Sequence, residues 1–162
     1  MKKIILAMVA VMVPLMLSAG STDFWFRHFS VEDGLSSSAV RAIMQDKYGF
    51  MWLGTDDGLN RYDGTTIKIY RLNPEGVNDY ISFLYDTTDR IWIGTGDGVY
   101  IYDYETENFE PFKLLTAKGD SIKTNVNHIA EDRDGNLWFS TVGQGIFKYN
   151  VSKRYLERYE FK

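Results

Sequence analysis

From residue 38 onward, apolar and polar residues alternate in short runs, broken every few positions by Gly, Asp, Asn or Thr. Alternation of period two, without a stretch of helical period, predicts short strands joined by tight turns. Trp52, Trp92 and Trp138 mark a register that recurs at spacings of 40 and 46 residues. Twelve residues before each Trp stands Val40, Tyr80 or Val126; nine before stands Ile43, Phe83 or Ile129; six before stands Asp46, Asp86 or Asp132. An apolar residue follows each Trp (Leu53, Ile93, Phe139), then a small one (Gly54, Gly94, Ser140), then a threonine (Thr55, Thr95, Thr141). Gly58, Gly98 or Gly145 comes next, and then Tyr62, Tyr102 or Tyr149. The third copy carries one extra residue, near 142–144.

Each copy reads as four strands, here called a to d. Strand a spans 40–45, 80–85 or 126–131, strand b carries the Trp, strand c runs to the Tyr, and strand d is a final aromatic run. Asp, Asn and Gly fill the a–b turns because they tolerate tight-turn backbone. A four-stranded unit repeating at this period is the signature of a β-propeller blade. The predicted fold is all-β: three four-stranded antiparallel blades, about 38–72, 78–115 and 124–161, in an incomplete ring. A blade cannot bury both faces alone, so one large flat side chain per blade should wedge against the next. Trp52, Trp92 and Trp138, with Tyr62, Tyr102 and Tyr149, are accordingly expected as inter-blade core. Residues 24–30 alternate like a strand d without a blade, an orphan N-terminal strand. Rings usually take about 4–8 blades, so the chain reads as the start of a longer propeller with two open ends, prone to self-association.

The first twenty residues follow a different pattern. Lys2 and Lys3 precede an apolar run from 4 to 17, and the small residues Ser18, Ala19 and Gly20 follow. This predicts a secretory signal peptide over 1–20. The apolar run falls short of the ~20 residues needed to span a bilayer, and Ser21 stands where a lipoprotein signal would place Cys. The mature chain is therefore expected in the periplasm, without membrane contact.

Composition narrows the chemistry. Every Trp, Tyr and Phe lies beyond Gly20, and loss of Lys2 and Lys3 takes the net charge from −4 to −6. That balance argues against nucleic acid as a partner, which wants a basic face. With no cysteine, disulfides, thiolate zinc sites and cysteine nucleophiles are excluded. Asp132 to Asn136 begins like a calcium loop, but Leu137 and Gly143 occupy positions that need Gly and Glu, so a hairpin turn is the better reading. No nucleophile motif is present, and His28 and His128 stand 100 residues apart. Neither catalytic residues, nor metal ligands, nor a cofactor are expected.

The run Asp33-Gly34-Leu35-Ser36, Val40, Ile43, Gln45-Asp46, Gly49-Phe50-Met51-Trp52-Leu53-Gly54-Thr55, Asp57-Gly58-Leu59-Asn60-Arg61-Tyr62-Asp63-Gly64 resembles the two-component regulator propeller repeat. The second copy departs from it, with Asp89-Arg90 where Gly is typical, and the third has Ser140 for Gly plus its insertion. The resemblance implies the N-terminal periplasmic sensor region of a Bacteroidetes-type hybrid two-component histidine kinase. Such sensors carry two propellers, a small β-sandwich, a transmembrane helix, a kinase core, a receiver and a DNA-binding domain, and detect oligosaccharides. This chain would then be a non-enzymatic fragment of a histidine kinase parent.

In a propeller the b–c turns and d–a connections gather on one face. That selects Asp56, Asp57, Arg61, Asp97 and Gln144, with His128 on strand a, as candidate contacts to an oligosaccharide or other small polar ligand. The alternatives are an exported propeller lyase or glycosidase acting on glycans, or a protein-binding scaffold. The remaining partners expected are further propeller blades or a second copy.

Overall fold

Alternation drives each repeat into a meander whose two faces must both be covered, and the folded chain solves this by stacking. The computed structural model describes residues 26–72 and 79–160. The signal peptide, Phe24 and Trp25 lie outside the described residues. The first blade is β1 (Val40–Gln45), β2 (Met51–Thr55), β3 (Gly58–Tyr62) and β4 (Ile67–Tyr70). The second is β5 (Ile81–Asp86), β6 (Arg90–Thr95), β7 (Val99–Asp103) and β8 (Asn108–Pro111). The third is β9 (Val126–Glu131), β10 (Leu137–Thr141), β11 (Gly145–Asn150) and β12 (Tyr155–Tyr159). Each is a four-stranded antiparallel sheet in chain order. The inner strands β1, β5 and β9 stand side by side. The fold is all-β, three propeller blades without a closed ring.

Two cores sit at the two junctions. Trp52, fully buried, leaves the first blade and meets Tyr102 of the second at 5.1 Å between ring centroids, with Leu84, Ile91 and Ile93 around it. Trp92, 3% exposed, meets Phe139 and Tyr149 of the third blade, each at 5.8 Å. Between these wedges the inner strand of the next blade comes close. A Cβ built on Gly54 would lie 2.6 Å from Ile81 Cγ2, so only glycine fits there. Ser140 holds the equivalent position in the third blade, where no fourth blade stands among the described residues.

Two expected core residues are elsewhere. Trp138 is half-buried on the outward face of the third blade, against Tyr159 at 5.7 Å and under Lys148. Tyr62 is half-buried on the outward face of the first blade. A wedge residue is buried only when the neighbouring blade exists to receive it. The two outward faces also differ. Phe29 packs edge-on against Tyr62 at 4.8 Å, and Arg27 donates to the Tyr62 hydroxyl at 3.3 Å. Leu35 is 3% exposed, and Ser36 and Asn60 exchange hydrogen bonds of 2.9 and 2.8 Å. Residues 26–30 pair with no strand; the segment lies across the blade and partly covers it.

The ladders also correct the sequence register in the second blade. Gln45 pairs with Met51, Glu131 with Leu137, and Asp86 with Ile91. Asp86 thus matches Gln45 and Glu131, and Thr87 takes the place of Asp46 and Asp132. The second a–b turn has lost a residue rather than exchanged its glycine. Likewise Phe83, opposite Gly94, matches Ala42 and His128 rather than Ile43 and Ile129.

Candidate functional site

Three backbone bonds assemble the expected face. The b–c turns donate to the ends of the segments before the inner strands: Asp56 N–H to Ala39 at 3.2 Å, Gly96 to Tyr80 at 3.1 Å, and Val142 to Asn125 at 2.9 Å. The threonine after each Trp strand closes its turn. Thr55 and Thr141 hydroxyls donate to the carbonyls of Gly58 and Gly145 at 2.9 and 2.6 Å, and the Thr95 hydroxyl proton is shared between the Gly98 carbonyl at 3.1 Å and the Asp97 carboxylate. This role is legible in the repeat once the turn is drawn, because the threonine stands opposite the glycine at the end of the b–c ladder, within reach of its carbonyl.

The candidate residues on this face are mostly engaged within the chain. Asp56 receives a two-pronged bond from Arg41 at 2.7 and 3.0 Å. The guanidinium holds its carboxyl below the usual carboxylate range, and Asp56 in turn raises Arg41. Asp57 pairs with Arg71 at 2.6 Å. Asp97 accepts from the Thr95 hydroxyl at 2.7 Å. Gln144 is a clamp: its Oε1 accepts from Lys123 N–H at 2.9 Å and its Nε2 donates to the Ser121 carbonyl at 3.2 Å. With both ends of its amide committed to the loop from the second blade, Gln144 serves packing.

Arg61 is misplaced by the sequence reading. It opposes Trp52 in the β2–β3 ladder, two pairs closer to the a–b turn than Leu59. Its guanidinium lies 4.6 Å over the Phe50 ring, beside the a–b turn, at the other end of the blade. Counting from the b–c turn ignored that strand c carries the chain away from it.

What the structure does bring together is a wall along the inner edges of the blades. Asp56 and Arg41 stand at the first blade, with Arg41 5.9 Å from the Tyr80 ring at the second. Exposed His128 on β9 lies against Phe83 of β5, ring centroids 4.3 Å apart. Sequence reasoning found Asp56 and His128 and missed Arg41, Tyr80 and Phe83. The usable signal was the repeat itself: charge or ring where an inner strand otherwise needs only a small residue such as Ala42. The wall offers an ionised donor–acceptor pair and aromatic faces, groups suited to hydroxyl-rich ligands. Among the described residues no cluster of three His, Asp or Glu could hold a metal ion.

The two-component regulator propeller family matches this sequence at residues 34–57 and 121–143. The chain is 56% identical over 59 residues to histidine kinase P4 of Formosa agariphila, covering 36% of this chain and 4% of that protein. It superposes with a TM-score of 0.73 on the extracellular domain of the hybrid two-component system BT3049 from Bacteroides thetaiotaomicron, at 30% identity, covering 82% of this chain and 20% of that one. A virginiamycin B lyase from Staphylococcus aureus shares the fold alone: 20% identity, TM-score 0.58, with 79% of this chain and 43% of that one covered. The chain thus spans a small part of its sensor relatives. It carries the two-component regulator propeller repeat, folded into blades like those in the extracellular domains of hybrid two-component systems.

Proposed function

We propose that this chain is an extracytoplasmic ligand-sensing propeller module of a hybrid two-component sensor, and that its ligand is an oligosaccharide. The observation that carries the reading is the inner wall of Arg41, Asp56, Tyr80, Phe83 and His128, borne on blades that superpose on a two-component extracellular domain. Ring faces stack on the C–H faces of sugars, and a fixed ion pair donates and accepts hydrogen bonds from hydroxyls. Export through residues 1–20 fits the same reading. No helix among the described residues is long and apolar enough to cross a membrane. Binding without turnover is the expected chemistry.

Titration of the purified chain with a panel of neutral oligosaccharides, by calorimetry, tests this. The expected result is at least one binder whose affinity falls tenfold or more in Arg41→Ala and His128→Ala. Chemical turnover of any glycan would favour the lyase or glycosidase alternative. Saturable binding of a protein without any glycan binding would favour the scaffold.

A further inference from the structure

The repeat places Arg61, Ile101 and Lys148 opposite Trp52, Trp92 and Trp138. At the second junction an aliphatic residue suffices, so blade packing does not demand an arginine here. Arg41, Arg71, Arg90 and Arg158 each lie within ion-pair distance of a carboxylate, and Lys148 reaches Asp132 at 3.6 Å. Arg61 makes no ion pair and donates no hydrogen bond to any described residue. Its guanidinium is stationed between rings, 4.6 Å from Phe50, 5.6 Å from Trp52 and 5.8 Å from Tyr70. Rings fix the plane of a guanidinium while leaving its forked N–H groups without acceptors.

Arg61 lines a cleft of about 380 Å³ between the first two blades, at the end away from the inner-wall turns. Tyr48 from the first blade and Tyr104 from the second pack edge to face, ring centroids 5.3 Å apart, and form one aromatic wall of it. Lys47 lies 4.3 Å from the Tyr104 ring but is not part of the lining, its ammonium donating to the Thr88 carbonyl. Glu107 reaches the cleft from the β7–β8 hairpin, where its φ of 54° is uncommon for a residue with a Cβ. The Asp46 carboxylate also borders it but is already committed, accepting from Trp52 Nε1 at 2.7 Å and from the Tyr48 and Phe50 N–H groups at 2.9 Å each. The cleft lies at the small end of ligand pockets, which run from about 300 to 1,000 Å³.

We propose that this cleft binds a carboxylated sugar, a uronate residue. Its carboxylate takes the fork of Arg61, its apolar ring face lies on Tyr48 or Tyr104, and a ring hydroxyl donates to Glu107. A bidentate guanidinium–carboxylate pair is among the stronger polar contacts, and the uncommitted arginine supplies it without breaking an existing ion pair. The site is separate from the inner wall and does not depend on it.

Calorimetric titration of the chain with digalacturonate, its dimethyl ester and digalactose is the test, with the Trp52 indole N–H shift followed by NMR. Digalacturonate should bind at least tenfold more tightly than the uncharged ester and move the Trp52 signal. Arg61→Gln should lose that preference with an unchanged melting temperature, and Arg61→Lys should recover part of it. Should Arg61→Gln unfold, the comparison of acid and ester on the native chain decides alone. Equal affinity for acid and ester, no binding of the acid, or acid binding indifferent to Arg61→Gln overturns the proposal. Neutral-sugar binding that persists while acid and ester bind equally would leave the inner-wall reading standing while this one falls.

Discussion

A single carboxylate organises each of two a–b turns. Asp46 gathers the Trp52 indole and two turn N–H groups, and Asp132 gathers the Trp138 indole at 2.9 Å with the Asn136 and Asp134 N–H groups. Asp46→Ala would orphan the buried indole N–H, and should cost about 1–3 kcal/mol, read as a lower urea midpoint. In the second blade the Asp six residues before Trp does different work: Asp86 accepts from the Tyr104 hydroxyl at 2.9 Å. Identical spacing therefore concealed a shifted register, because a lost turn residue moves the strand end without moving the residue count. The turn carboxylates also set an acid limit. The Trp138 indole and Asn136 amide hold Asp132 well below the usual carboxylate range, turn N–H groups do the same for Asp63 (from Thr66 first), and the Thr106 N–H lowers Asp103. A carboxyl lowered in the fold adds stability above its unfolded value of about 4, and that contribution is lost as pH falls through the folded value. Burial raises Asp86, which acts in the opposite sense. Stability should accordingly decline below about pH 4, and Asp132→Asn should flatten that decline in acid titrations followed by tryptophan fluorescence.

At the scale of strands and blades, the wedges are unequal although their sequence contexts look alike. Trp52→Ala and Trp92→Ala each empty a buried site between blades and should cost about 3–5 kcal/mol. Trp138→Ala, on an outward face, should cost clearly less. Equal losses in denaturant midpoint for the three would mean that the third wedge is covered as fully as the others. Gly54→Ala drives a methyl group into Ile81 and should cost about 1–3 kcal/mol through overpacking. Ser140→Gly should change little, since β10 has no neighbour of that kind among the described residues. Strand number, order and turn positions were readable in the repeat, because period-two alternation and turn residues are local signals. Which side of each blade would be covered was not.

The stack as a whole has two unlike ends. On the first blade, residues 29–36 close over Tyr62 and Asn60, although Ile43 stays 66% exposed. On the third blade, Trp138 and Tyr159, 44% exposed, lie side by side, with Lys148 over the Trp138 ring. Exposed aromatic faces favour association. Light scattering of residues 21–162 should show concentration-dependent self-association, and Tyr159→Lys should reduce it more than a charge placed at the covered end, such as Tyr62→Lys. A monodisperse species at high concentration would show that the third face is polar enough to stand alone.

Blade architecture, the wedges of Trp52 and Trp92 and the gathering of b–c turns were legible in one sequence because each follows from short-range periodicity and from the repeat; the half-buried place of Trp138 was not. The residues of the inner wall, the clamp made by Gln144, the misplacement of Arg61 and the partial cover over the first blade were not. These depend on which end of a strand a side chain reaches, and on pairings between positions 15 or more residues apart, such as Arg41 with Asp56 and Ser36 with Asn60. Alternation along a strand specifies its two sides equally well; the neighbour that packs against one of them chooses between burial, a cleft and solvent.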